Sequence, residues 1–162
     1  MRKYLLGLSA LMLGVLVLVQ PAGSTSLNVA LSGTAQDCFA GAVDPVSGVS
    51  IAAFQVSAAG PILAQLDTMH RFVFVDFDST AVPKFDSLMT RLQSLVISTH
   101  ALARTGSASN GSFTLSFAPV DSVVVVGFED MEDEPWYYSS KSMSGMANSS
   151  FILDMSRGHC GF

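Results

Sequence analysis

Four valines stand in a row in the segment Ser122-Val123-Val124-Val125-Val126-Gly127-Phe128. Successive side chains of a strand point to opposite faces, so an unbroken apolar run belongs to a strand covered on both sides. A chain holding such a strand must supply a separate layer for each face. One face can meet an opposing sheet and the other an inserted helix.

The material for the sheets is spread along the chain. From Asn28 to Thr34, Val29 and Leu31 alternate with Asn28, Ala30 and Ser32, the pattern of a half-buried strand. Val49–Phe54 alternates again, and Gly60-Pro61 ends it. Phe113, Leu115 and Phe117 alternate with Ser112, Thr114 and Ser116 after an Asn110-Gly111 turn. A fifth strand is predicted at Pro135-Trp136-Tyr137-Tyr138 and a last at Ser149–Met155, with Phe151, Leu153 and Met155 on one face. The stretch Gln36–Gly48, dense in Asp, Gly, Pro and Ser, reads as a loop.

The material for the helix lies between the second strand and the Asn-Gly turn. Phe85, Leu88, Met89, Leu92, Leu95, Val96 and Leu102 form one apolar stripe, which predicts an amphipathic helix over Pro83–Arg104 with its stripe on the core. Pro83 suits a first helical turn and Gly106 an end. Upstream, Leu63, Leu66, Met69, Val73, Phe74 and Phe77 recur at helical spacing, yet Phe72-Val73-Phe74-Val75 is built of strand formers. The sequence leaves Ile62–Phe77 open between helix and strand. The expected fold is therefore mainly β, a Greek-key-type sandwich of about six or seven strands with a helical insertion at 57–105 between the second and third strands.

Met1-Arg2-Lys3 followed by an apolar run from Tyr4 to Val19 and small residues Ala22, Gly23 and Ser24 has the layout of a secretory signal peptide. The run of about 16 residues is shorter than the ~20 of a spanning helix. The expected division is a signal peptide at 1–24 and a single domain at 25–162, with no membrane span after cleavage and a secreted, periplasmic or cell-envelope location. Loss of Arg2 and Lys3 leaves six basic against thirteen acidic side chains, a net charge near −7. Such a surface repels phosphate backbones, which argues against nucleic-acid partners. Export places Cys38 and Cys160 in an oxidising compartment, where an even count of two predicts one disulfide.

Two segments resemble the carboxypeptidase regulatory-like domain, a transthyretin-like (prealbumin-like) sandwich. The first is Leu31-Ser32-Gly33-Thr34-Ala35-Gln36-Asp37 with Gly48-Val49-Ser50-Ile51-Ala52-Ala53-Phe54, similar to that family's opening strand, loop and second strand. The second is Ala103-Arg104-Thr105 with Asn110-Gly111-Ser112-Phe113-Thr114-Leu115, followed by the valine strand and Gly127-Phe128. The insertion is the main departure from the family pattern. The resemblance implies a prealbumin-like β-sandwich with a supporting or binding role, and no catalytic residues or cofactor.

Residue chemistry offers a few candidate sites. Glu129-Asp130-Met131-Glu132-Asp133-Glu134 is the densest charge in the chain, and its carboxylates Glu129, Asp130, Glu132, Asp133 and Glu134 are weak candidates for calcium, which takes oxygen ligands. They lack the spacing of an EF-hand, and a solvated turn is the plainer expectation. Trp136, Tyr137 and Tyr138 follow, and adjacent aromatics on a strand must alternate faces, so one can serve a binding surface for a protein or glycan partner. His70 and His100, with Asp76 or Asp78, would be the residues of a metal-dependent hydrolase, although no His-x-x-x-His pair supports it; His159 adjoins Cys160. No Gly-x-Ser-x-Gly elbow surrounds any serine. The leading expectation is an exported, non-enzymatic binding or structural module, and the hydrolase is the alternative. Oligomeric state is not written in these patterns.

Overall fold

The computed structural model describes residues 28–39, 42–129 and 137–155. In chain order these form β1 (Val29–Phe39), β2 (Ala42–Pro45), β3 (Ser50–Gln55), α1 (Val56–Phe74), a 3-10 turn at Ser79–Ala81, α2 (Val82–Ile97), β4 (Ala103–Gly106), β5 (Ser112–Phe117), β6 (Val120–Glu129), β7 (Tyr137–Gly145) and β8 (Ser149–Asp154). The expected signal peptide at 1–24, Cys160, His159, the acidic run from Asp130 to Glu134 and Trp136 lie outside the described residues.

The strands make two sheets. In the first, β1 is central. It pairs parallel with β8 on one edge, and its other edge takes β5 along its first half and β2 along its second, both antiparallel. Gln36 shows that these are opposite edges, since it sits in register with both Asp154 of β8 and Pro45 of β2. The second sheet is antiparallel throughout, in the order β4-β3-β6-β7.

The valine run does what its pattern demands. Val123 and Val125 join Leu31, Ile51, Leu115 and Leu153 in the core between the sheets. Val124 and Val126 face the other way and join Phe54, Leu63, Leu66, Phe85, Leu88 and Leu92 in a second core, beneath the helices. The molecule thus has three layers: first sheet, second sheet, helical pair. Gly127 ends the run because its inward face is occupied. A Cβ there would collide with Cδ2 of Leu153 and crowd Sδ of Met155 at 3.2 Å.

The fold corrects several boundaries. The stretch Gln36–Gly48 is not all loop: β1 continues to Phe39 and turns back as β2, with Gln36 opposite Pro45 and Phe39 opposite Ala42. The sequence hides this hairpin because β2 is a four-residue edge strand, ends in proline, and carries Val43 51% exposed, so it lacks an apolar face. The strands number eight among the described residues rather than six or seven. Of the region Ile62–Phe77, Ile62–Phe74 is helix and Val75–Phe77 lies beyond its end; α1 begins earlier, at Val56, carrying Gly60 and Pro61 inside it. Burial of Ala59, Leu63 and Leu66 under the second sheet outweighs the helix-breaking tendency of Gly-Pro.

α2 starts as expected, with Pro83 in its first turn, but ends at Ile97 rather than Arg104. The Ser98 hydroxyl donates to the Leu95 carbonyl at 2.7 Å, and Arg104 Nη1 donates to the Ile97 carbonyl at 2.5 Å, so the exposed end of the helix is capped by side chains. Leu102 N–H then donates to the Ala53 carbonyl, and Ala103–Gly106 pairs with Ser50–Ala53 as β4. Leu102 had helical spacing from Leu95 by coincidence; it packs on the inter-sheet core.

Candidate functional site

The helical pair lies across the strands of the second sheet. α1 begins beside Val120–Ser122 at the start of β6, and further along it reaches β7, where the Tyr138 hydroxyl donates to Oδ1 of Asp67 at 3.3 Å. α2 returns to the opposite edge, where Val96 and Ile97 meet Arg104 and Thr105 of β4. The C-terminal half of α1 therefore stands over β7, the outer strand of its sheet, and next to β8, the outer strand of the other sheet.

A polar hollow of about 400 Å³ opens there, lined by Asp67 and His70 of α1, Tyr138 and Lys141 of β7, and Ile152 and Asp154 of β8. It shares Lys141, Ile152 and Asp154 with a wider groove of about 890 Å³ that runs on over Ser32, Thr34 and Ser150 on the outer face of the first sheet. The two form one seam along the side where β7 and β8 come together. Both are of the size that holds small ligands. Both are open to solvent, so charges in them stay hydrated, which suits reversible recognition better than a reaction needing excluded water. The seam offers two carboxylates, an ammonium, an imidazole, a phenol and a row of hydroxyls.

Only part of this was visible in the sequence. Of the aromatic trio, Tyr138 lines the hollow, half-buried, with its ring against the helical core. Tyr137 opens β7 opposite Glu129 in the ladder. Asp67, Lys141, Ile152 and Asp154 were not singled out; the signal for Asp67 is its i, i+3 spacing from His70, which puts both on one helix face once the segment is known to be helical.

The remaining candidates scatter. His70 stacks near Phe74 and Phe85, with ring centroids 4.7 and 6.4 Å away. His100 is exposed in the turn after α2, its N–H donating to Ser98 Oγ. The length of α2 from Phe85 to Ile97, about 18 Å, separates the two histidines. Asp76 lies 4.0 Å from Arg71 Nε. Asp78 accepts from the Thr80 hydroxyl at 2.6 Å and the Thr80 N–H at 2.9 Å, and these bonds hold its carboxyl below the ordinary value. Among the described residues, no three His, Cys, Asp or Glu side chains group to hold a metal ion. The residues from which a metal-dependent hydrolase would be built thus stand apart.

Of the acidic run, Glu129 is described. It closes β6, half-buried, and its carboxyl is pushed above the usual range by desolvation first and by the charge of Asp37 second. Asp37 itself sits directly opposite Asp44 in the β1–β2 ladder, so carboxylates gather at this end of the sandwich. Cys38 is the next residue of β1, opposite Val43.

No family model matches the sequence, and no curated protein matches it. Among solved structures, the chain is similar to the shaft pilin SpaA from Lactobacillus rhamnosus GG, with 13% identity, a TM-score of 0.30, and coverage of 78% of this chain and 49% of that one. The chain thus spans about half the length of that pilin, and the likeness is of general β-sandwich kind. No helix among the described residues is long and apolar enough to cross a membrane.

Proposed function

We propose that the chain is an exported, non-enzymatic binding or structural module, secreted or held in the cell envelope, that engages a protein or glycan partner along the α1–β7–β8 seam. The observation that carries this reading is the seam itself. An inserted helix pair brings Asp67 and His70 over the outer strands of two different sheets, beside Tyr138, Lys141 and Asp154, in an open and hydrogen-bond-rich groove. We further propose a prealbumin-like, Greek-key-type connectivity. It is supported by strands that cross between the sheets at 46–49, 107–111, 118–119 and 146–148, and by a last strand running parallel beside the first.

The test is an NMR titration of the exported protein with two defined probe sets, neutral oligosaccharides and short extended peptides. Saturable shifts confined to Asp67, Tyr138, Lys141 and Asp154, and lost in Tyr138→Ala, support the reading. Shifts elsewhere, or none at millimolar probe with either set, overturn it. The export and disulfide proposals share one measurement. Mass spectrometry of that protein should give an N-terminus near Gly23 or Thr25 and a mass two hydrogens below the dithiol form. β8 passes Gln36 at Asp154, and the six residues from Asp154 to Cys160 reach about 20 Å when extended, ample to meet Cys38. Free thiols in the native protein would remove the bridge.

A further inference from the structure

We propose that the ligand of the α1–β7–β8 seam is a saccharide with an isolated carboxylate, one uronate among neutral sugars, held by the Lys141 ammonium. This ligand class rests on the seam being a binding site, as proposed above, and adds what the seam binds. Lys141 stands on β7 in register with Val125 of β6. Residues paired across a ladder share a face, so Lys141 lies on the side of the sheet that carries Val123 and Val125 into the inter-sheet core. Met143, two residues on, shares that face and packs against the same core. The pattern calls for an apolar residue at 141, and a lysine stands there, where β7 meets β8 and both hollows open. An inward lysine on an outer strand serves first to discourage edge pairing; the groove beside it gives this one a second use.

Among the charged side chains of the seam, the ammonium is the one left to a ligand. Asp67 accepts from the Tyr138 hydroxyl, and Asp154 already takes part in an interaction of its own. Among the described residues, none is ion-paired with Lys141. Along the groove, Ser150 sits opposite Ser32, and Ile152 opposite Thr34. Strands lie about 4.8 Å apart and same-face residues about 6.8 Å apart along each, so these four side chains form one small plate, three hydroxyls around an exposed isoleucine. Each hydroxyl both donates and accepts, as sugar hydroxyls do, and Ile152 offers an apolar surface to the C–H face of a pyranose ring. Lys141 lines both the plate and the hollow under α1, so a carboxylate bound to it leaves a neighbouring ring over the plate. Ile152 is also the one large apolar residue exposed in this lining, which gives the side chains of a peptide little to anchor on. The charge of the whole chain sets a further limit. Thirteen acidic against eight basic side chains repel a polyanion at range, so a single carboxylate among neutral sugars fits better than a polyuronate.

The experiment is calorimetric titration of the exported protein with three probes. They are a tetrasaccharide bearing one glucuronate, the same tetrasaccharide with that carboxyl reduced to the alcohol, and an N-acetylated tetrapeptide amide with one glutamate. The uronate form should bind at least about tenfold tighter than its reduced form, and the margin should shrink as salt rises. Lys141→Gln should bring the two saccharides to equal affinity, and Lys141→Arg should keep the margin. Thr34→Val, which removes one hydroxyl of the plate, should weaken both forms alike. If a Lys141 variant self-associates or loses its melting transition, the parent's own margin and its salt dependence decide instead. Equal affinity of the parent for the two saccharides overturns the carboxylate anchor and leaves the seam a binding site. Binding of the glutamate peptide alone overturns the saccharide in favour of a protein partner. No binding of any probe at millimolar concentration overturns the ligand class and the seam reading together.

Discussion

β5 and β6 are neighbours in sequence, separated by Ala118-Pro119, and they belong to different sheets with opposite exposures. β5 alternates strictly: Phe113, Leu115 and Phe117 are buried and Ser112, Thr114 and Ser116 are exposed. Its outer face is a carpet of hydroxyls, with Ser32 Oγ 3.5 Å from Thr114 Oγ1 across the ladder. β6 has no solvent face from Val123 to Phe128, because helices cover the side that β5 leaves to water. The difference teaches where a helical layer is needed. The second sheet is apolar on both faces and would be insoluble without α1 and α2, whereas the first sheet is complete as it stands.

The largest effect expected from that contrast is on the helical layer. Leu92 is fully buried under β3 and β6. Leu92→Asp places an unpaired carboxylate there, at a cost of several kcal/mol, a large fraction of a small domain's stability. Thermal denaturation should find no folded state at 37 °C. Ser116→Asp, on the hydroxyl face of β5, should change stability by less than about 0.5 kcal/mol. A folded Leu92→Asp with an unchanged melting temperature would mean that the helices leave the sheet readily.

Next comes a comparison within one strand. Val124 and Val125 are adjacent and both buried, one in each core. Truncating either to Ala should cost about 2 kcal/mol, from lost transfer energy plus a residual cavity. Equal losses in urea denaturation, with one transition, would show that the two cores melt as a unit. Two transitions in Val124→Ala alone would show the helical layer detaching first.

The same contrast explains what could be read from sequence. The faces of β5, β6 and β8 were legible because period and burial agree there. The helical stripe of α2 was legible for the same reason. The β1–β2 hairpin was not, because an exposed edge strand has no apolar period to detect. The start of α1 was not, because Gly60-Pro61 is a local break signal overridden by tertiary burial of Ala59 and Leu63. The candidate site was least legible of all. Asp67, Tyr138 and Asp154 are far apart in sequence, and only the packing of α1 across the edge of one sheet and beside the other brings them together.

A smaller effect is expected where the two layers are joined by a polar contact. The Tyr138 hydroxyl reaches Asp67 at 3.3 Å near the surface. Tyr138→Phe should cost less than about 1 kcal/mol in the same denaturation experiment, since water can replace the lost bond. A loss as large as that of Val124→Ala would mean that this contact, rather than the apolar core, pins α1 to β7.

The last prediction concerns Glu129, where β6 leaves its double cover. Burial and the charge of Asp37 both favour the neutral acid, so the carboxyl binds its proton more tightly in the folded chain than in the unfolded one. The stability linked to that proton is fully present below the unfolded value, about 4.3 for a glutamate, and is lost as pH rises through the higher folded value. Above its folded value the fold therefore carries an ionised group it disfavours. Glu129→Gln should melt above the parent at pH 7, and the gain should vanish as the pH falls below about 4. Asp37→Asn should act in the same direction and by less, since its charge is the second cause. The experiment also decides the calcium question. If Glu129 were a ligand together with Asp130, Glu132, Asp133 and Glu134, the bound cation would favour the ionised form, and calcium would raise the parent's melting temperature more than matched magnesium. Glu129→Gln would then melt below the parent in calcium. The expected result is a Gln variant that is more stable with either cation or with chelator, which counts against Glu129 as a calcium ligand.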